Sequence, residues 1–498
     1  MIDDEQLIRL ANSVLWPGFL GTTVPPWLQE ALEQDLAGVV YFAQNLDGDT
    51  TALSAEIHRI APGALIGIDE EGGSVTRLET RTGSTVPGAA QLGALDDLDA
   101  TRATGAEIGR RVAAMGGDVV LAPVADVNTD PRNPVIGVRA FGDDSQLVSR
   151  HVAAMVRGIQ QSGVAACAKH YPGHGDTHLD SHHDLPRLTL AQQEIDEVHL
   201  PPFRAATHAG VHAIMTAHIC AEQWGELPAT LNPLVLGGLR SAGFEGVIIT
   251  DALDMAAIRE TYGIGGGAVR ALVAGADLLC IGNPTNPGEA MLPDQDARDH
   301  LAARDAIVAA LRSGELPRAR VEEAAARVRA MADAVRHRPV SGETVDFDAV
   351  ADRALAVRGE LPSFDDVPTT VIDLRRASSL AVDSAASHVA LALAAGGDIV
   401  RLAAETASGA DIADAVDRAG RTQTVLLVDR IDPGTPQRAL RDSIRAAAPE
   451  VVTVNAGLAP TDAGDGALID MRAASLLAAR AARRALLAAR PALTRKDA

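Results

Sequence analysis

Lysine is almost missing from this chain. Of its 498 residues only Lys169 and Lys496 are lysine, and the remaining basic charge is arginine. Cysteine is nearly as scarce: Cys167, Cys220 and Cys280 lie far apart. An odd, sparse set offers no disulfide framework and no metal-ligand spacing. Each sits in an apolar run, so buried free thiols are expected. Aromatics make up 3% of the chain, and Trp16, Trp27 and Trp224 are the only tryptophans. Basic charge falls short of acidic by 22, which argues against nucleic acid and anionic membrane as partners. No apolar run approaches the roughly 18 residues of a transmembrane helix. The opening Met1-Ile2-Asp3-Asp4-Glu5 is acidic and lacks an apolar signal core. A cytoplasmic protein is expected.

What is present is ordinary globular material, 47% hydrophobic and 22% charged. The length predicts two or three domains. The first two thirds alternate β-rich runs with helical patterns. Strands are expected at 15–20, 38–42, 64–69, 118–124, 164–168, 213–217, 246–250 and 277–281, and amphipathic helices at 143–161, 190–209 and 294–312. The strand runs are mostly apolar on both faces, as buried parallel strands require. Eight strand–helix units fit a TIM-like (β/α)8 barrel; a doubly wound open sheet competes. Asp69, Asp126, Lys169 with His170, His218 and Asp251 each follow a strand run. A barrel gathers such groups at one mouth, whereas an open sheet strings them along a line, so the barrel is favoured. The barrel is expected over 1–338, a linker over 339–360 and a smaller α/β domain over 361–498. Strands of that domain are expected at 389–393, 398–402, 425–428 and 451–454, with a helix over 471–489.

Chemistry concentrates in Lys169-His170-Tyr171-Pro172-Gly173-His174-Gly175-Asp176-Thr177-His178-Leu179-Asp180-Ser181-His182. A lone internal lysine in an arginine-rich chain marks a place for a compact ammonium donor. Asp180 and His182 are two residues apart, close enough in a bent loop for the carboxylate to orient the imidazole; a solvated loop is the plainer alternative. His174, His178, His182 and His183 could hold a metal, but Gly173 and Gly175 oppose a helix that would align them. Asp251 ends an apolar run, placed either as a fixed nucleophile or as a helix N-cap. Asp69-Glu70-Glu71-Gly72-Gly73-Ser74-Val75-Thr76-Arg77 joins acid, a diglycine bend and arginine. It has neither the P-loop lysine nor dinucleotide spacing. Arg139 closes Val135-Ile136-Gly137-Val138-Arg139 and alone could pair with any surface acid.

Taken together, five ordered motifs resemble glycoside hydrolase family 3, in its β-N-acetylglucosaminidase branch, over roughly residues 10–335. They are Asp69-Glu70-Glu71-Gly72-Gly73, Ile136-Gly137-Val138-Arg139-Ala140-Phe141, Lys169 to Gly175, Asp180-Ser181-His182, and Thr250-Asp251-Ala252-Leu253-Asp254-Met255. Pro228-Ala229-Thr230-Leu231 also looks like the family's segment ahead of the nucleophile strand. The resemblance implies Asp251 as nucleophile and His182 as general acid/base held by Asp180. It implies Asp69, Arg77, Arg139, Lys169 and His170 as the grip on the sugar hydroxyls. No metal and no organic cofactor is implied. Ser74 departs from the pattern, standing where many relatives carry arginine.

The reading that follows is a retaining exo-β-N-acetylglucosaminidase acting on small glycosides, with peptidoglycan-recycling fragments as the natural class by resemblance. Few aromatics suit a short, soluble substrate better than a polysaccharide. Three rivals stand beside it: a phosphorylase using the same covalent intermediate, a β-glucosidase, and a sugar-binding sensor without turnover.

Overall fold

The computed structural model describes residues 4–177, 186–335, 345–376 and 385–489. The described residues fall into two units. One takes those within 1–71, 96–136 and 140–343; the other takes 72–95, 137–139 and those beyond 344.

In the first unit eight parallel strands follow one another in chain order. They are β1 (Leu15–Pro17), β2 (Gly38–Tyr41), β3 (Leu65–Ile68), β4 (Val119–Val120), β5 (Ala165–Tyr171), β6 (Ala213–Thr216), β7 (Val247–Ile249) and β8 (Leu279–Gly282). A parallel ladder runs from β2 to β7, and β8 pairs with β1. A bridge between Ile249 and Leu278 carries the ladder from β7 towards β8. The Ala37 N–H donates to the Asn12 carbonyl at 3.0 Å, joining the approaches to β1 and β2. The result is the expected barrel-like α/β fold. Every residue of these eight strands is buried, which is why their sequences read as apolar runs without alternation.

Small residues let one large one fill the interior. Leu65, Val119, Ala165, Cys167, Ala213, Met215, Val247, Ile249 and Cys280 cluster with Trp16, and Val328 and Met331 of helix Arg318–Ala334 close the cluster. Trp16 reaches from β1 to β3, where its Nε1 donates to the Leu65 carbonyl at 2.7 Å. Gly67 makes the room: a Cβ there would stand 2.2 Å from the indole. A Gly67→Val change would therefore displace the largest fully buried side chain in the molecule.

Helix Ser145–Gln160 matches expectation, and Asp144 caps it by accepting from the Leu147 N–H at 2.7 Å. The helix expected over 190–209 is broken. A short α turn, Gln192–Glu194, passes through a π turn at Ile195–His199 and restarts at Pro201–His208. Pro201 and Pro202 have no N–H to donate, so they suit the first turn of a new helix and not the interior of an old one.

The second unit holds a six-stranded sheet. In spatial order its strands are β9 (Ala356–Arg358), β14 (Leu468–Asp470), β13 (Val452–Asn455), β12 (Thr424–Val428), β10 (Thr370–Asp373) and β11 (Ile399–Arg401). All neighbours are parallel except β9 against β14. Three expectations need correction. The 389–393 run is helical, within Ser387–Ala394, because alternating Ala and Leu favour a helix over a strand. Helix Phe347–Ala354 and β9 occupy part of the expected linker 339–360. Residues 72–95 and 137–139, expected inside the barrel domain, group with the second unit. Among the described residues no helix is long and apolar enough to cross a membrane.

Candidate active site

Strand β5 delivers the two central side chains. The Lys169 Nζ lies 2.7 Å from Asp69 Oδ1 and 2.7 Å from Glu71 Oε1, with the lysine side chain only 3% exposed. Asp69 directly follows β3. One ammonium thus ties the end of β3 to the end of β5 while balancing two carboxylates, a geometry a compact point charge satisfies better than a planar guanidinium. Glu71 was not singled out from sequence; its place in the acidic motif was the available signal.

Beside it, Asp126 is fully buried. Its Oδ2 lies 2.8 Å from His170 Nδ1, and its Oδ1 accepts from the His174 N–H at 2.7 Å and the His170 N–H at 3.3 Å. Burial alone would raise the Asp126 carboxyl; His170, then His174 with its amide, hold it below its ordinary value. An anionic Asp126 accepts a proton bond at His170 Nδ1, which fixes the imidazole's orientation. His174 is pushed down to about 4 by burial, against the pull of Asp126, and its Nδ1 meets Thr177 Oγ1 at 2.7 Å. It is a neutral, packed imidazole. His178, His182 and His183 lie outside the described residues, and among those described no cluster of three His, Cys, Asp or Glu side chains is arranged to hold a metal ion.

Asp251 follows β7 and is half-buried. Its Oδ1 accepts from the Ala252 N–H at 2.8 Å, and its own N–H donates to Thr216 Oγ1 at 3.3 Å. It caps no helix: the helix that follows starts at Ala256 after Met255. Burial raises Cys167, which Lys169 lowers and Asp69 and Asp251 raise further. Burial likewise raises Cys280, followed by Asp251, Asp254 and Asp69. The ladder from β3 to β7 is parallel, so the ends of β3, β5 and β7 lie along the same edge of the sheet.

Not every expected residue belongs to this cluster. Asp180 and His182 lie outside the described residues. Arg77 and Arg139 belong to the second unit, Arg139 buried at the end of the short turn Gly137–Arg139. The diglycine bend is real: Gly72 and Gly73 have φ of +77° and +56°. Ser74 accepts from the Ala474 N–H at 2.8 Å, so the departing residue has a structural partner in its own unit.

The described residues thus hold a carboxylate at a strand end, a buried ammonium between two acids and an imidazole oriented by a buried carboxylate. The Glycosyl hydrolase family 3 N terminal domain matches residues 28–331. The chain is 37% identical over 287 residues to a beta-hexosaminidase of Stenotrophomonas maltophilia (strain K279a), covering 55% of this chain and 84% of that one. It is 34% identical over 285 residues to beta-hexosaminidase A of Pseudoalteromonas piscicida, covering 52% of this chain and 48%, about half, of that longer relative. A solved glycoside hydrolase family 3 beta-N-acetylglucosaminidase from Paenibacillus sp. str. FPU-7 matches with a TM-score of 0.84 at 29% identity, covering 98% of this chain and 97% of that one.

Proposed function

The chain belongs to glycosyl hydrolase family 3, and from that premise we propose that it is a retaining exo-β-N-acetylglucosaminidase acting on small glycosides. The observation that carries this reading is the position of Asp251 at the end of β7, at the same edge of the parallel ladder as Lys169 and Asp69. A retaining mechanism needs a nucleophile against one face of the anomeric carbon and a proton donor at the leaving oxygen. Asp251 attacks the anomeric carbon and forms a glycosyl-enzyme ester. His182, oriented by Asp180, protonates the departing oxygen and then takes a proton from the water that releases the sugar. These two roles rest on the Asp-Ser-His motif. An imidazole titrates near neutrality, so it serves both steps. Asp69, Lys169 and His170 bind the sugar hydroxyls. The names of the similar hexosaminidases support N-acetylglucosamine as the sugar. The scarcity of stacking aromatics supports a short substrate such as a peptidoglycan fragment met in the cytoplasm.

The test is hydrolysis of a panel of aryl glycosides with and without phosphate. The expected result is fastest cleavage of the N-acetylglucosaminide, first release of the β anomer, and no response to phosphate. A sugar 1-phosphate product, or preference for the glucoside, overturns it. Asp251→Ala should abolish turnover, and His182→Ala should harm poor leaving groups most.

A further inference from the structure

The segment Pro228-Ala229-Thr230-Leu231 is not used by the mechanism above, yet its threonine is fully buried beside the nucleophile strand. We propose that Thr230 is a positioning residue that fixes the backbone on both sides of Asp251 through a ring of hydrogen bonds. The proposal rests on Asp251 being the nucleophile.

Thr230 Oγ1 lies 2.8 Å from Thr216 Oγ1, 2.9 Å from His218 Nδ1 and 3.0 Å from the Ala217 carbonyl. Two of those neighbours reach the nucleophile segment. Thr216 Oγ1 accepts from the Asp251 N–H at 3.3 Å, and His218 Nε2 lies 2.8 Å from the Ala252 carbonyl. Thr216, His218 and Thr230 are all fully buried, so their polar atoms must be satisfied within the protein.

Two carbonyls, which can only accept, set the directions of these bonds. The Ala252 carbonyl can only accept, so His218 carries a proton on Nε2. The Ala217 carbonyl also only accepts, so it takes the single hydroxyl proton of Thr230, and His218 Nδ1 lies against the same oxygen. Thr230 in turn accepts from Thr216, and Thr216 accepts from the Asp251 N–H. The chain of contacts begins at the amide of Asp251 and ends at the carbonyl of the next residue. The 3-10 turn Ala229–Leu231 holds Thr230 at its centre. The ring meets the backbone at Asp251 and Ala252, so it should govern the reach of the nucleophile more than the grip on the sugar.

The test compares wild type, Thr230→Val, Thr230→Ser and Thr216→Val. The 5-fluoro glycosyl fluoride of N-acetylglucosamine measures the rate of covalent labelling, and titration with N-acetylglucosamine measures ground-state binding. Valine keeps the shape of threonine and removes the hydroxyl. The expected result is labelling slowed by about tenfold to a hundredfold in both valine variants, as a misplacement near 1 Å produces. N-acetylglucosamine affinity should stay within about twofold, and serine should restore most of the labelling rate because it restores the hydroxyl. Unchanged labelling in the valine variants, a parallel loss of affinity, or failure of serine to rescue overturns the ring. Should Thr230→Val fail to fold, Thr216→Val with Thr230→Ser still decides it. A wild-type label on a residue other than Asp251 instead overturns the nucleophile assignment, so the two failures are distinguishable.

Discussion

The ammonium of Lys169 and the carboxylate of Asp69 meet at 2.7 Å, joining β5 to the end of β3. Glu71 shares the same ammonium at 2.7 Å. Removing a buried charge from such a group leaves its partners uncompensated, at about 3–5 kcal/mol. Lys169→Met should therefore lower kcat/KM on an aryl N-acetylglucosaminide by at least about a hundredfold. Lys169→Arg should recover little of it, because a planar fork cannot take the place of a point charge between these two acids. Steady-state kinetics of the two variants check this.

Asp126 gathers one imidazole and two backbone amides on a single buried carboxylate. Hydrogen bonds to a charged group contribute about 1.5–3 kcal/mol each. Asp126→Asn replaces an obligate acceptor with a group that is half donor, and His170 loses its fixed orientation. The expected loss in kcat/KM is about tenfold to a hundredfold, measured with the same substrate.

Acid should destabilise the fold through buried imidazoles. Burial drives His174 and His300 down to about 4 from an ordinary 6.5. Between those values the unfolded chain binds protons that the folded chain refuses, so stability is lost as pH falls from 6.5 towards 4. Each group can account for about 3 kcal/mol. His58 works the other way: its hydrogen bond with Asp118 raises it, so its stabilisation is full below 6.5 and lost as pH rises through the raised value. Urea midpoints at pH 7.5, 6 and 5 should fall in that order, and His300→Gln should flatten the trend.

At the start of β8, Asp277 is fully buried and holds three arginines. Arg240 and Arg320 bond to it, the latter at 2.6 Å, and Arg327 reaches it at 3.3 Å. Its carboxylate also accepts from the Ile248 N–H at 3.0 Å. Asp277→Asn should cost about 3–5 kcal/mol, because it strands partly buried guanidinium groups. Denaturant unfolding measures the loss, with little change expected in KM for the surviving folded protein.

The barrel was legible because its strands are buried on both faces and end in ionisable residues, and the expected neighbourhood of Asp69 and Lys169 appears as a direct ion pair. Other features needed the fold. Nothing in the sequence pairs Glu71 with Lys169, or Asp126 with the amide of His174, since those contacts cross between strands. The 389–393 run misled because Ala and Leu fill a buried helix and a buried strand alike. Thr370–Asp373, expected as no strand, is only four residues long and lies at the second sheet's interior. The break at Ile195–His199 was signalled by Pro201 and Pro202, which interrupt an otherwise smooth helical period.

Residues 72–95 leave the barrel's sequence and complete the other unit. Ser84 receives the Leu477 amide at 3.1 Å, and Gly83 sits so close to His388 that a methyl group there would stand 2.2 Å from the ring. The two units are therefore woven from one thread and not strung in series. A protein shortened to its first 335 residues would strip this excursion of its packing, so the carboxyl-terminal third cannot be treated as an ornament to be trimmed when the enzyme is engineered.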